Sequence, residues 1–269
     1  MIELMNNALI NNEFSSSKGN QLKWIDNNIW YKADRNGYEG LSEYVISELL
    51  KKSNLKKNEF VEYELEQIKY KDRIYNGCKS NNFLDDGDRI ITLERLYQIR
   101  IGSSLTNVLN SLITYKEKAE YIVKFVGDYT GLIDFGSYLS KILVIDALFL
   151  NEDRHMHNIA VIQKKNGKYD YCPIFDNGAS LLSDSEIDYP VSKNTLDLIK
   201  NVESKTIGPD FIESVDAVES LYGTNLLFNY TNDDIDEVLD SIDIYDDEIV
   251  QRVKQVLKYQ KQKWNYFFE

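Results

Sequence analysis

The feature of this 269-residue chain that most constrains its fold is a change in the period of its apolar residues near position 106. Before that point, short apolar segments separated by polar turns are typical of strands, and only 41–50 has apolar residues every four positions, as on one face of a helix. After it, apolar residues mostly recur at helical spacing. The sequence therefore predicts an α+β fold with a β-rich N-terminal lobe, a mainly helical C-terminal lobe and a cleft between them.

We place the lobes at residues 1–97 and 98–269, with a hinge near 93–98. The predicted elements of the first lobe are a hairpin of strands 22–25 and 29–32 around a polar three-residue turn, a helix over 41–50, a strand with a bulge or a strand pair over 60–70, and a strand over 89–96. Those of the second lobe are helices over 107–125 and 137–150, a hairpin of 159–163 and 169–175 around Asn166-Gly167, and mostly helix from 193 on.

The charge of the chain argues against two classes of partner. The net charge is −13, and the lysine pairs at 51–52, 56–57 and 164–165 are short and isolated, so no basic face for nucleic acid is expected. The same balance disfavours anionic membrane surfaces. No segment approaches the length of about 20 apolar residues that a membrane span needs.

The cysteines and the start of the chain bear on its compartment. Cys78 and Cys172 offer neither a disulfide framework nor metal-ligand spacing. The opening residues through Phe14 carry Asn and Glu instead of an apolar run, so no export signal is expected. We predict a cytoplasmic protein, with secretion or delivery as an effector left open.

Most of the functional information lies in one short window. Both histidines of the chain fall in Asp153-Arg154-His155-Met156-His157-Asn158, and a second acid follows in Phe175-Asp176-Asn177-Gly178. An acid, an amide five residues on and a later acid are the polar groups of a kinase-type phosphoryl-transfer site, in the same order. Asp153 would orient the acceptor hydroxyl, and Asn158 and Asp176 would offer the oxygen ligands that Mg²⁺ prefers. The predicted hairpin between the motifs would return Asp176 to Asn158.

Two features near this window have other interpretations. His155 and His157 could belong to a metal-dependent hydrolase, but no further histidine or cysteine cluster completes such a site. We favour a role for His155 in orienting the loop by hydrogen bonds, and we expect His157 to be exposed. Asp134-Phe135-Gly136 matches the kinase metal-binding triplet by letters, yet it precedes the catalytic segment, so we expect Asp134 to cap a helix.

The first lobe would supply the nucleotide clamp. Lys32 ends a predicted strand and could reach the phosphates, unless it is an exposed lysine of an edge strand. Glu43, early in the following helix, is the favoured partner for it, and Glu48 the less favoured one. The polar loop 15–20 could cover the phosphates, with Ser17 and Lys18 as phosphate-binding candidates, although it contains one Gly and no Walker sequence.

These segments together resemble the HipA-like serine/threonine protein kinases, particularly the short, stand-alone CtkA-type members. The segment 153–158 resembles the family's Asp-x-His-x-x-Asn loop, and 173–180 is similar to its metal-binding segment. Upstream, 21–23, Lys32, 42–44 and 93–96 fall in the family's order. The match runs from about Ser15 to Leu182 and is specific at the two central motifs.

The resemblance implies a two-lobed kinase-like fold with an ATP cleft, Mg²⁺-ATP as donor and a protein with a serine or threonine acceptor as substrate. It implies adenine contacts from the backbone of Glu94 and Leu96. It also implies autophosphorylation in the serine loop, with Ser15, Ser16 and Ser17 as candidates, and we expect the added charge beside the ATP phosphates to inhibit the enzyme. An antitoxin or a regulatory protein is a candidate partner.

Two rival interpretations remain at this point. The pattern Asp-Arg-His-x-x-Asn followed by Asp-x-Gly also resembles phosphoinositide kinases, but the acidic balance and the lack of a basic lipid-facing patch argue against a lipid substrate. A kinase-shaped binding module without transfer activity is the other rival. It is weakened because every expected polar group is present.

Overall fold

A computed structural model describes residues 1–5, 8–10 and 21–269 of the chain. The predicted serine loop lies outside the described residues, and so do the candidate phosphate-binding and autophosphorylation residues Ser15, Ser16, Ser17 and Lys18. The strands are β1 (Ile2–Leu4), β2 (Lys23–Asp26), β3 (Ile29–Ala33), β4 (Glu64–Tyr70), β5 (Arg73–Asn81), β6 (Arg89–Thr92), β7 (Ala160–Gln163) and β8 (Tyr169–Tyr171). The helices are α1 (Glu39–Leu50), α2 (Leu93–Ile101), α3 (Leu105–Ser111), α4 (Tyr115–Thr130), α5 (Phe135–Phe149), α6 (Thr195–Ile199), α7 (Phe211–Tyr222), α8 (Asn232–Asp240) and α9 (Asp247–Lys263), with a 3₁₀ turn at Asn265–Phe267.

The N-terminal part is a five-stranded sheet in the order β1-β4-β5-β3-β2, with α1 packed against it. Strand β1 is parallel to β4, and the other pairs are antiparallel. The predicted β2–β3 hairpin is confirmed, but its turn has two residues, since Asp26 pairs with Ile29. Asn27 and Asn28 both have positive φ, 48° and 65°, as a tight hairpin turn of this length requires.

Three predictions of secondary structure were wrong in part. The segment 60–70 is strand only from Glu64, and its partner β5 was missed because its residues do not alternate. The strand predicted over 89–96 stops at Thr92, whose Oγ1 accepts a hydrogen bond from the N–H of Arg95 and starts α2. The predicted hinge 93–98 is therefore helical. The helix predicted over 107–125 is two helices, because Thr114 and Glu117 form a capping box that starts α4.

The second sheet positions the site. Its order is β6-β7-β8, and the predicted hairpin at Asn166-Gly167 is confirmed as β7–β8. The hairpin starts just after the Asp153–Asn158 segment, and β8 ends at Tyr171, before the predicted Phe175, after which the chain returns toward Asp176. Strand β6 pairs with β7, so the last strand before the helical part belongs to this sheet.

Helix α5 lies in the middle of the helical part and is buried on nearly every side. It contacts α4, α7 and α9. Its C-cap, Leu150, adopts the left-handed conformation (φ 58°) and turns the chain directly into the segment that carries Asp153. Within the described residues, no helix is both long enough and apolar enough to cross a membrane.

Candidate active site

The catalytic segment 151–158 is fixed by a buried carboxylate in α5. Asp146 is fully buried and accepts hydrogen bonds from Asn151 Nδ2 (3.0 Å) and from Arg154 Nε (3.1 Å). Burial raises the pKa of Asp146 to about 6, and the Arg154 guanidinium opposes this rise. Because both contacts reach back into a rigid helix, the loop that follows α5 has a defined path.

Arg154 connects this loop to the metal-binding segment. Its guanidinium is 1% exposed and donates to the main-chain oxygens of Phe175 and Asn158 and to Oδ1 of Asn177, besides Asp146. One planar group therefore holds both motifs in register. Sequence reasoning missed Arg154 and Asp146; the available signal was an acid inside the otherwise apolar run of α5.

Asp176 faces the N-terminal sheet. Its Oδ1 lies 2.8 Å from Lys32 Nζ and 4.0 Å from Lys23 Nζ. Burial alone would raise the pKa of Asp176, but the charges of Lys32 and Lys23 outweigh it and hold that pKa well below its usual range. The carboxylate is thus ionised and ready to bind a cation. The backbone of Asp176 has a φ of 62°, a left-handed conformation that Asp tolerates better than most residues do.

The predicted clamp residues lie together. Lys32 Nζ is 2.5 Å from Oε1 of Glu43, and Oε2 of Glu43 accepts the N–H of Asn177 at 2.9 Å. Burial would lower the pKa of Lys32, but Asp176 and Glu43 raise it well above the ordinary value. Lys32 lies on β3, between β5 and β2, so it is not an edge-strand lysine. Glu48, the less favoured candidate, pairs instead with Lys51 on the surface.

Asp153, Asn158 and Asp176 line one cleft that opens to solvent. Nδ2 of Asn158 donates to the main-chain oxygen of Asp153 at 2.9 Å, which fixes the carboxamide and leaves its oxygen as the outward acceptor. The structure thus brings the predicted acid, amide and second acid to a single cavity. Lys23, Arg35 and Glu39 add charged groups to its walls.

The oxygens of this cleft fit a hard cation. Among the described residues, neither Oδ1 of Asn158 nor Oδ2 of Asp176 accepts a hydrogen bond. An amide oxygen, a carboxylate and phosphate oxygens form the ligand set that Mg²⁺ takes in nucleotide sites. No group of three or more His, Cys, Asp and Glu side chains that could hold a metal occurs in the described part of the chain.

The two histidines differ in environment. His155 is partly buried, and its Nδ1 accepts the N–H of His157 at 3.3 Å, which helps to shape the loop. Its Nε2 lies 4.0 Å from Oδ1 of Asp153. Burial lowers the pKa of His155, against the opposing charge of Asp153. His157 is exposed, as predicted.

Three other predicted residues lie elsewhere. Asp134 stands at the N-cap of α5, but its side chain makes no capping hydrogen bond, so its predicted role was wrong in that respect. The carboxylate of Glu94 accepts the N–H groups of Leu105 and Thr106 and thereby caps α3. The N–H of Glu94 donates to the main-chain oxygen of Met156, and Leu96 is fully buried within α2. Their adenine contact stays a prediction.

A lysine that sequence reasoning did not single out contacts the predicted base. Lys205 Nζ lies 3.2 Å from Oδ1 of Asp153. The two residues are 52 positions apart, and no local pattern pointed to the pair.

Comparison with known proteins supports a kinase-type fold. No protein-family model matches the chain, and no curated protein matches it by sequence. The crystal structure of the Helicobacter pylori proinflammatory kinase CtkA is similar over 97% of this chain and 94% of that one, with a TM-score of 0.56 and 16% identity. The HipA–HipB–operator DNA complex of the Shewanella oneidensis MR-1 toxin–antitoxin system matches 95% of this chain and 62% of its own, with a TM-score of 0.47 and 12% identity.

The mixed α/β architecture, a five-stranded sheet followed by a helical part, therefore resembles the fold of a solved kinase structure. More particularly, the chain has a CtkA-type fold, and the predicted resemblance is confirmed at the level of the fold.

Proposed function

We propose that the protein is an ATP- and Mg²⁺-dependent serine/threonine protein kinase of the HipA-like type. The observation that carries the proposal is that Asp153, Asn158 and Asp176 line one cleft, with the buried Lys32–Glu43 pair directly behind Asp176. An acid, an amide oxygen and a lysine beside a second acid are what phosphoryl transfer requires, since catalysis there is positioning and charge stabilisation.

Each residue has a role in the transfer. Asp153 accepts the proton of the acceptor hydroxyl as that oxygen bonds to the γ-phosphorus of ATP, and the bond from the γ-phosphorus to the β–γ bridging oxygen breaks to release ADP. Asn158 and Asp176 would hold Mg²⁺, whose charge would offset that of the phosphates. Lys32 donates to the phosphates while Glu43 keeps it in place.

The finer parts of the proposal follow from the family resemblance. Residues 1–97 and 98–269 act as two lobes with the nucleotide between them, and Glu94 and Leu96 lie toward the adenine. The acceptor is a serine or threonine of a protein, including the chain's own Ser15, Ser16 or Ser17. An antitoxin or regulatory protein is a candidate partner. The phosphate-transfer assay described next, repeated with added proteins, would test for it.

The test is an assay of phosphate transfer from Mg²⁺-ATP, in which the intact mass of the protein is measured after incubation. We expect the wild-type protein to gain about 80 Da per phosphate, and Asp153→Asn or Asp176→Asn to reduce the rate by a factor of 10² or more, since each removes a charge at the reacting centre. Asp134→Asn is the matched control, because Asp134 belongs to the other Asp-Phe-Gly-like triplet and should leave transfer unchanged.

The outcomes separate the rivals. ATP binding without any transfer to protein or lipid would favour a kinase-shaped binding module. Phosphate incorporated into phosphoinositide vesicles, with none in protein, would favour a lipid kinase. Transfer that survives both site substitutions would contradict the proposed site.

A further inference from the structure

The segment that carries Lys205 is docked firmly on the catalytic loop. Thr206 Oγ1 donates to the main-chain oxygen of Arg154 at 2.7 Å, and the N–H of Ser204 donates to the main-chain oxygen of Pro209 at 2.9 Å. Ser204 and Thr206 are both buried. The hydrogen bonds of the two neighbouring residues therefore fix the position of the Lys205 backbone relative to Asp153.

The side chain of Lys205 combines contact with access. Its ammonium lies 3.2 Å from Oδ1 of Asp153, whose side chain is 5% exposed, whereas the side chain of Lys205 is 44% exposed. Lys205 does not itself line the cleft, but its ammonium contacts the carboxylate of Asp153, which does.

Three other cations of the site, Lys32, Lys23 and Arg154, make their contacts away from the Asp153 carboxylate. Lys32 is bonded to Glu43 and Asp176 on the metal side, and Lys23 also faces Asp176. The Arg154 guanidinium is buried and bonded to four groups. None of these contacts lies at the carboxylate of Asp153, where the transferred group arrives.

We propose that Lys205 is the acceptor-side cation of phosphoryl transfer, a catalytic residue supplied by the loop before α7. Its ammonium holds the Asp153 carboxylate in place and stabilises the negative charge on the γ-phosphoryl oxygens while the new bond to the acceptor oxygen forms and ADP leaves. A cation that is already in place where negative charge develops stabilises the transition state more than the ground state. This inference rests on the proposed kinase function.

The chain permits a direct test by removing and restoring the ammonium. Lys205→Cys deletes the charge, and alkylation of the new thiol with 2-bromoethylamine returns an amine at nearly the original length. The native Cys78 and Cys172 are 0% and 1% exposed, so the reagent should leave the wild-type protein active. We expect Lys205→Cys to lower kcat about ten- to a hundredfold with the KM for ATP unchanged, and alkylation to restore most of it. Lys205→Arg should retain part of the activity.

Lys200→Cys, taken through the same treatment, is the matched control. Its side chain is 67% exposed and pairs with Asp197 near the end of α6. It should match wild type before and after alkylation. Thermal unfolding of each variant shows whether a loss reflects misfolding, and in that case Lys205→Gln is assayed instead, with the same expected loss of kcat.

The outcomes distinguish this inference from the proposed function. A wild-type protein that transfers no phosphate ends both. An active wild type with Lys205→Cys equally active or faster, or a folded Lys205→Cys that alkylation does not revive, overturns the role of Lys205 and leaves the kinase proposal standing.

Discussion

At the scale of single residues, Arg154 connects segments of the site that the sequence pattern did not show to be connected. Its guanidinium joins α5, the catalytic loop and the segment around Asp176, and it is buried. Buried charges are tolerated when they are paired and hydrogen-bonded, and this one has carboxylate, amide and carbonyl partners. The arrangement orders the site before any ligand binds.

This makes Arg154 the most sensitive structural position near the site. Arg154→Met should lower the free energy of unfolding by about 3–5 kcal/mol, because it leaves the Asp146 carboxylate buried without its partner. Urea unfolding measures this. Arg73→Met, at an exposed arginine of β5, is the control and should change little.

A second substitution tests the cause. Adding Asp146→Leu to Arg154→Met removes the orphaned carboxylate and should recover part of the lost stability, since replacing both partners is milder than removing one. A double variant no more stable than Arg154→Met would contradict the pairing argument.

Sequence reasoning at this scale succeeded where spacing along the chain carries the chemistry. Asp153 and Asn158 are five residues apart, and the Asn-Gly hairpin predicts the return of Asp176, so all three could be assigned to one cleft. The pairs Arg154–Asn177 and Lys205–Asp153 join segments 23 and 52 residues apart. Such contacts depend on tertiary packing and leave no local pattern.

At the scale of elements, α1 shows both the reach and the limit of periodicity. The spacing of Leu41, Val45 and Leu49 predicted the helix but only one buried stripe. In the structure α1 contacts β3, β4 and β5 on one side and α8 on another, and it bonds to the segment after Asp176 through Ser42 and Ser180. Glu43 is buried outside the predicted stripe and contacts Lys32 and Asn177, which is why one stripe could not decide between it and Glu48.

The two glutamates of α1 give a matched pair of variants. Glu43→Gln should raise the Mg²⁺ concentration needed for half-maximal transfer several-fold, because Lys32 then has Asp176 as its remaining acidic partner and competes with the metal for it. Glu48→Gln disturbs only a surface pair with Lys51 and should behave as wild type. Mg²⁺ titrations of both variants that coincide with the wild-type titration would contradict the role of Glu43.

The misassigned start of α2 has a similar cause. Leu93 and Leu96 are apolar and follow β6 directly, so the pattern of residues 89–96 predicts one continuous strand. Thr92 ends the strand because its hydroxyl accepts the N–H of Arg95. A capping threonine inside an apolar run also suits a strand, and local sequence cannot separate the two.

At the scale of the whole molecule, Asp34 joins the segment after β3 to the chain before α9. Its Oδ2 accepts the hydroxyl of Tyr245 and its Oδ1 accepts the N–H of Gly40, both at 2.6 Å. Nearby, Nδ2 of Asn76 donates to the main-chain oxygen of Ile244 at the same distance. Burial, with the charge of Glu39, raises the pKa of Asp34 to about 7. The junction therefore carries a carboxyl that titrates near neutrality.

The sign of the resulting pH dependence follows from proton binding. An unfolded Asp titrates near about 3.9, so between about pH 4 and pH 7 the folded protein holds a proton that the unfolded chain has released. The free energy of unfolding should therefore fall as the pH rises through this window. Asp34→Asn, whose amide nitrogen would donate to the Tyr245 hydroxyl and whose oxygen would still accept the N–H of Gly40, should flatten the slope and be the more stable protein at pH 8.

Urea midpoints at pH 5 and pH 8 measure the slope, and the difference between the two proteins isolates Asp34 from other titrating groups. Asp72→Asn, in the exposed turn between β4 and β5, serves as the control and should keep the wild-type slope. Parallel profiles for Asp34→Asn and wild type would rule out this carboxyl as the source.

The left-handed backbone at Asp176 limits how this position can drift over evolution. In the proposed kinase, a side chain there must both bind a cation and accept a φ of 62°. Most replacements would remove the cation ligand and also strain the backbone, so activity and stability would usually be lost together. Asn and Gly are the exceptions, since they adopt this conformation with little penalty. A descendant that abandoned catalysis yet kept its architecture would therefore be recognisable by one of those two residues at this point.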